Sequence, residues 1–454
     1  MRAPSSSLFD QTALAERAER LVKAARAAGA DAADAVAVRS MSLAIEVRDG
    51  AVEESERAEG DDLGLRVLVG RRQAVVSTND LSAGGTQALA ERAVAMARVA
   101  PEDKFAGLAD EALLAHNFPD LDLIDPDLPS VAQLETMARS AEAAGLAVKG
   151  VAKSGGASAS AGIGGMVLVT SHGFRGAYLG SRHGVVMTAI AGEGTGMERD
   201  YDYSSALHAS DLERPEKIGR TAGERAVRRV NPRKVSTRKV PVVFDPRISG
   251  TLVGHLASAV NGASIARKTS FLRDKMGQKI FGDGIGIIDD PLRKRGLRSH
   301  PFDGEGVAGK RLALIDDGVL RSWLLDSSTG RELNLATTGH AQRGTSSPPS
   351  PGPSNLHMEA GRVSPDELIG DIKDGFYVTD LIGMGANMVT GDYSRGASGF
   401  WIENGKRTYP VSEVTIAGHL LDIFRNLTPA NDLEFRYATN APTVRLEGLT
   451  VAGQ

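Results

Sequence analysis

The chain has no cysteine, which excludes disulfides, Cys-ligated zinc, iron–sulfur clusters and thiol catalysis within it. That fits a reducing cytoplasm, the expected location. Aromatics are scarce, with two Trp, seven Tyr and twelve Phe among 454 residues. There is no basic surplus either: 53 Lys and Arg against 57 Asp and Glu give a net charge of -4. A nucleic-acid binder needs cations to neutralise phosphates or rings to stack bases, so nucleic acid is not an expected partner. Long apolar runs are missing. The uncharged stretch from Ser154 to Phe174 is mostly Gly, Ala and Ser, its larger apolar residues clustered at Met166–Val169, whereas a spanning helix needs ~20 predominantly apolar residues. The opening segment MRAPSSSLFDQ lacks an apolar h-region, so neither a membrane span nor a secretory signal is expected.

Motifs that carry chemistry are also sparse. A zinc peptidase sets two His about one helical turn apart with a Glu between them, so that both imidazoles reach one metal and the carboxylate activates water. The nine His stand at 116, 172, 183, 208, 255, 300, 340, 357 and 419, and the nearest two, His172 and His183, are 11 apart. No helix can bring two of them to one ion by local spacing. His255 lies on an expected helix and reads as a partly buried residue on a packing face. No Gly-x-Ser-x-Gly occurs, so no nucleophile elbow is written here. Gly282-x-Gly284-x-Gly286 and Gly383-x-Gly385 lack the spacing of a dinucleotide fingerprint and read as turns.

What is abundant is glycine, 52 residues of 454, above the usual ~7% and suited to tight turns between strands. The pattern begins with an amphipathic helix over 10–28, in which Leu14, Ala18, Leu21, Val22 and Ala25 share one face. Short strands follow at 42–47, 51–54, 63–69 and 73–77, with Asp49-Gly50 marking a hairpin. Helices are expected at 81–99 and from Ser130, where Ser130-x-x-Gln133 reads as a capping box. The Gly-rich text from Ser154 to Asp200 implies further antiparallel strands that continue the first sheet or form a flap. A helix over 215–230 and the breaker Asn231-Pro232 close this half. The expected fold is α+β: an N-terminal antiparallel sheet with helices on one face over residues 1–232, then a β-rich sandwich or barrel-like domain over 236–454. In the second part a strand is expected over 239–244, a helix over 247–260, and strands at 311–315, 319–325, 375–382, 399–402, 411–416 and 443–446. Between Gly344 and Asn355 ten of twelve residues are Gly, Pro or Ser, too few apolar atoms to pack, which implies a mobile loop or a flap.

Two segments are distinctive. One is His300-Pro301-Phe302-Asp303-Gly304-Glu305-Gly306. The other runs from Gly391 through Asp392, Tyr393, Ser394, Arg395 and Gly396 to Phe400, Trp401 and Gly405, and reads as a loop entering a strand at Phe400-Trp401. Asp392 and Arg395 are expected to pair locally; in the alternative reading the loop lines a cleft. The second segment resembles the signature of the TldD/PmbA family, specifically its PmbA (TldE) branch. Met197-Glu198-Arg199-Asp200-Tyr201, Arg267-Lys268-Thr269-Ser270-Phe271-Leu272, Thr338-Gly339-His340 and the terminal Val451-Ala452-Gly453-Gln454 match that branch in order.

The resemblance implies a two-domain fold and a part in a cytosolic proteolytic complex. In the TldD branch a His-Glu-x-x-x-His motif lies on the helix that here begins near Arg247, with a Cys near the C-terminus as a further ligand. Counted back from Thr269, the three motif positions fall on Val253, Gly254 and Ser258. This chain therefore reads as having no metal, no cofactor and no catalytic residue of its own. The expected partners are a TldD-like zinc subunit as heterodimer, or a second copy when alone, together with unfolded peptide. Asp392, Tyr393, Arg395, Phe400 and Trp401 are the expected lining or interface residues. Two other functions stay open at this point: a homodimeric peptide-binding or chaperone-like protein, and an independent hydrolase with an unrecognised site.

Overall fold

The computed structural model describes residues 10–80 and 82–453. Residues 1–9 of the opening segment, Leu81 at the start of the second expected helix and Gln454 of the terminal motif lie outside the described residues.

The first helix, α1 (Gln11–Ala27), starts where Asp10 accepts hydrogen bonds from the Thr12 and Ala13 amides at 3.0 and 3.2 Å. The chain then forms β1 (Ala32–Arg48), β2 (Ala51–Val69) and β3 (Arg72–Thr78), followed by α2 (Ala83–Val99) and α3 (Val131–Leu146). Asp49 and Gly50 both hold positive φ, 51° and 73°, the type I′ geometry that matches strand twist. The Ser130–Gln133 capping box opens α3. Three more strands, β4 (Val151–Thr170), β5 (Arg175–Ala191) and β6 (Glu198–Ala206), and α4 (Pro215–Arg229) complete this half. The six strands form one antiparallel sheet in the order β3-β2-β1-β4-β5-β6, so the Gly-rich stretch continues the first sheet.

Several strands are much longer than their alternation suggests. In β1 the run Ala33, Ala35, Val36, Ala37 is buried on both faces, and alanine-rich text carries no period-2 contrast. In β2 the opposite holds, since residues 51–59 are exposed throughout and only 51–54 of them read as strand. Helices cover one face, where α1 and α2 pack on Ala33, Ala35, Ala37, Leu65 and Val167. Farther along the same face, α3 and α4 pack on Ile45, Ala159, Val185 and Met187. The other face presents Val36 and Leu168 to Phe174, Phe302 and Val307, where the second half of the chain docks.

That second half is built on α5 (Pro246–Ala259), capped by Asp245 and surrounded by an eight-stranded sheet that curls into a half-barrel. A separate five-stranded sheet lies beside it. The expected strand over 239–244 is two strands, Arg238–Lys239 and Val242–Phe244, because Pro241 has no amide proton to donate. The first pairs with Thr450–Ala452 and the second with the strand Asp374–Ile382. Only Val319–Leu320 of the expected 319–325 strand is extended in a ladder.

The expected loop at 391–398 is strand as well. Asp392–Glu403 runs unbroken through its glycines, which serve close backbone approach rather than turning. A Cβ at Gly399 would stand 1.9 Å from the Tyr377 carbonyl oxygen. The segment from Gly344 to Asn355 is likewise tied to the body. Ser350–Pro351 pairs with Ala341–Gln342, the Gly352 amide donates to the His340 carbonyl at 2.9 Å, and the buried Ser354 donates its amide to Asp289 at 2.8 Å. Hydrogen bonds hold what apolar packing cannot, so neither the mobile loop nor the flap is what the fold presents here.

Candidate functional site

The helix α5 is where the expected metal positions fall. Val253 is buried in the core, Gly254 faces open space with no neighbour within 4 Å of where a Cβ would stand, and Ser258 is exposed. The Ser258 hydroxyl donates to the Gly254 carbonyl at 3.0 Å, an i to i−4 bond that occupies it. Valine and glycine offer no ligand atom, and the one hydroxyl is neither an imidazole nor a base. Among the described residues no group of three or more His, Cys, Asp or Glu is arranged to hold a metal ion. The zinc implied for the family does not fit these residues.

One residue from the same helix does enter a polar cluster. His255 meets Tyr393 edge to face, ring centroids 5.8 Å apart. Burial, helped by the nearby Arg395 cation, pushes the imidazole down to about 4, so the ring is neutral at physiological pH. Its Nε2 is buried without a hydrogen bond, as is the hydroxyl of Tyr393, a side chain only 1% exposed. Burial raises the Tyr393 phenol while Arg395 acts against the shift, which places the guanidinium beside the hydroxyl. Arg395 Nε is itself buried and unpartnered, and Nη2 makes one long bond of 3.5 Å to the Leu381 carbonyl.

A pH effect on stability follows. In the unfolded chain a His takes a proton near ~6.5, whereas folded His255 stays neutral down to about 4. The unfolded state therefore binds more protons between those values, and stability falls as pH drops through that window. Urea unfolding at pH 7 and pH 5 should show a smaller pH-dependent loss in His255→Gln than in the native protein. An unchanged loss would place the imidazole in contact with water.

The other expected site residues are dispersed. Asp392 is exposed and accepts a bond from Thr390 Oγ1 at 2.6 Å; it does not pair with Arg395, because residues three apart on a strand point to opposite faces. Trp401, roughly 20 Å farther along the extended strand, is buried, with its Nε1 donating to Asp374 at 3.3 Å and Arg238 over its ring at 5.4 Å. Phe400 packs on the far side of the sheet with Val243, Tyr377 and Ile402. The structure thus brings together Tyr393 and Arg395, and adds His255 from 138 positions upstream.

Two other motifs anchor the halves of the molecule. Asp200 of β6 receives Arg247 of α5 at 2.8 Å; burial alone would raise the carboxyl, but Arg247 and then Arg229 hold it below its ordinary value. Phe302 inserts into a ring cluster with Phe174 and Tyr178 at 5.1 and 5.4 Å. Beside it, Asp303 accepts the Glu305 and Val307 amides, both at 2.9 Å, and burial with the Glu305 charge pushes it up to about 8. Buried Asp34 of β1 is bound by Arg66 of β2 at 2.8 Å and by Arg343 from the C-terminal half.

Comparison with known proteins agrees with this architecture. Family models described as PmbA/TldA metallopeptidase domain 1, central domain and C-terminal domain match residues 33–97, 124–230 and 237–453. The chain is 38% identical over 418 residues to Metalloprotease PmbA of Escherichia coli O157:H7, covering 92% of this chain and 91% of that one. It is 36% identical over 428 residues to a Metalloprotease PmbA homolog of Haemophilus influenzae, covering 92% of each. A crystal structure of a proposed modulator of DNA gyrase from Bacteroides thetaiotaomicron superposes with TM-score 0.90 at 28% identity, over 98% of this chain and 99% of that one. TldE from Thermococcus kodakarensis shares the fold, with TM-score 0.84 at 20% identity over 96% and 100% of the two chains. The chain belongs to the TldD/PmbA family of metallopeptidase-related proteins, in its PmbA (TldE) branch.

Proposed function

We infer that this chain is the non-metal subunit of a TldD/TldE-type metallopeptidase, pairing with a zinc-bearing homologue and helping to hold unfolded peptide. The observation that supports this reading is the content of α5, where Val253, Gly254 and Ser258 occupy the positions that the resemblance assigns to the family's metal motif. Neither an ion nor an activated water is retained by two residues without donor atoms and a self-bonded hydroxyl. In such a pair the homologue supplies the zinc that activates water, and this chain supplies surface. The outer edge of β2 supports the holding role, since residues 51–62 pair with β1 on one side, the ladder with β3 on the other side begins only at Leu63, and among the described residues no strand covers that outer side over 51–62. An extended peptide can add to such an edge through backbone hydrogen bonds, with little demand on its sequence.

The test is purification of the full chain alone and together with a zinc-bearing homologue. Alone it should carry no stoichiometric zinc and cleave no unfolded peptide; with the homologue it should form a stable complex with chelator-sensitive activity. Stoichiometric zinc and full activity in the lone chain would overturn the reading. Failure to associate would favour a homodimeric peptide-binding protein, and chelator-insensitive activity abolished by one substitution here would favour an independent hydrolase.

A further inference from the structure

Arg293, Lys294, Arg295, Arg298 and His300 crowd into one short loop of a chain whose net charge is -4. The loop is pinned between the two halves of the molecule. Arg295 donates its amide to the Leu121 carbonyl at 2.9 Å and its guanidinium to Asp122 and Asp211 at 2.6 and 3.0 Å. The Arg298 amide donates to Asn355 at 2.9 Å, and Arg182 of β5 donates to the Leu297 carbonyl at 3.0 Å. Three cavities of about 310, 370 and 210 Å³ follow the loop. Tyr178, Leu297 and Ser299 line both the first and the second, and Gly296 and Leu297 both the second and the third, so the three adjoin as one trench.

The charge along that trench is unbalanced. Arg298 lines the first cavity, Arg182 the second, and Arg293 and Lys294 the third; among the described residues none of the four forms an ion pair. Two acids share the walls, and both are occupied. Asp211 is held by Arg295, and the buried Asp303 accepts the amides of Glu305, Val307 and Ala341. Arg182, Lys294 and Arg298 are exposed, so an arriving anion meets them without first displacing a carboxylate. Their distribution favours an extended chain over a small anion. Tyr178, Gly180 and Arg182 stand on one face of β5 over roughly 13 Å, the reach of about four extended residues. Gly162 and Gly164 of β4 pair with Arg182 and Gly180 and widen that floor, and a Cβ at Gly164 would meet nothing nearer than 3.8 Å. A backbone can lie close to such a floor while its carboxylates reach the cations of the rim. We propose that this trench binds an acidic peptide segment in extended form. The inference rests on the peptide-holding role given above and narrows its class, yet the trench belongs to this chain alone and requires neither zinc nor the homologue.

The experiment uses the purified full chain and short fluorophore-labelled peptides of Gly and Ser that carry Glu, Gln or Lys at alternate positions, read by fluorescence anisotropy at ~0.15 M salt. The Glu peptide should bind about tenfold more tightly than the Gln peptide, as several partly exposed charge pairs together supply, and the Lys peptide no better than the Gln one. Replacing two rim cations together, Arg182→Gln with Arg298→Gln, should abolish that preference. Arg20→Gln with Arg92→Gln, which removes the same charge from helices on the opposite face of the sheet, should leave it intact. Lys294→Gln, which breaks no hydrogen bond of the fold, should weaken the Glu peptide several-fold and leave the Gln peptide unchanged. Equal affinity for the three peptides, or a preference that survives both trench variants, would overturn the proposal. So would displacement of the Glu peptide by inorganic phosphate at the peptide's own concentration, which would mark a small-anion pocket, or tighter binding of single-stranded DNA. Zinc content and association with the homologue are unaffected by any of these results, so the two readings fail separately.

Discussion

Asp34→Ala is expected to destabilise the protein by about 3–5 kcal/mol, the range for removing one partner of a buried ion pair. Asp34 is 1% exposed, and the side chains of Arg66 and Arg343 are equally withdrawn from water. Burial by itself would raise the Asp34 carboxyl, but Arg343 and then Arg66 outweigh it and hold the group ionised. Without that carboxylate two guanidiniums are left together, with Glu305 the strongest remaining electrostatic partner of Arg66. Because Arg66 comes from β2 and Arg343 from the C-terminal half, the damage falls on the contact between the two parts of the chain. Urea unfolding followed by circular dichroism measures it. A loss below ~1 kcal/mol, the scale of an exposed pair, would mean that water reaches the cluster.

Gly219→Val is expected to have an effect of comparable size by a different cause. Here α4 crosses α3 so closely that a Cβ at Gly219 would sit 1.8 Å from the Ala141 carbonyl oxygen and 3.0 Å from the Gly145 amide. The obstructing atoms are backbone, so they cannot swing aside as a flexible side chain would. Gly145 and Gly223 line the same crossing, with their own Cβ positions 3.1 Å from the Gly219 carbonyl oxygen and 2.9 Å from that of Gly145. Overpacking in a core typically lowers stability by 1–3 kcal/mol, and a branched side chain against backbone should reach at least the upper end, ~3 kcal/mol. Thermal unfolding should show Gly219→Ala destabilised and Gly219→Val more so. An alanine variant as stable as the native protein would show that the two helices slide apart freely.

Neither Asp34 nor Gly219 stands out in the sequence. Each has a partner far along the chain, at Arg343 and Ala141, and nothing local marks a small residue or a carboxylate as special. The same limit applied to the polar cluster. Tyr393 and Arg395 were legible as neighbours in a distinctive segment, but His255 joins them only because α5 packs inside the curled sheet. Residues 392–398 looked like a loop because glycine usually signals turning, whereas they continue the strand Asp392–Glu403, in which Gly399 lets two strand backbones approach.

Where chemistry is local, sequence alone was enough. The Ser130–Gln133 capping box, the Asp49-Gly50 hairpin, the amphipathic face of α1 and the lack of donor atoms at Val253 and Gly254 all follow from residues a few positions apart, whose geometry is set by the backbone itself. Tertiary structure alone decided which face of the long sheet receives the C-terminal half, how the segment Gly344–Asn355 is pinned, and that His255 comes to stand beside Tyr393 and Arg395. Those depend on groups brought together across hundreds of residues, and their energies come from water excluded at contacts that no short stretch of chain can make by itself.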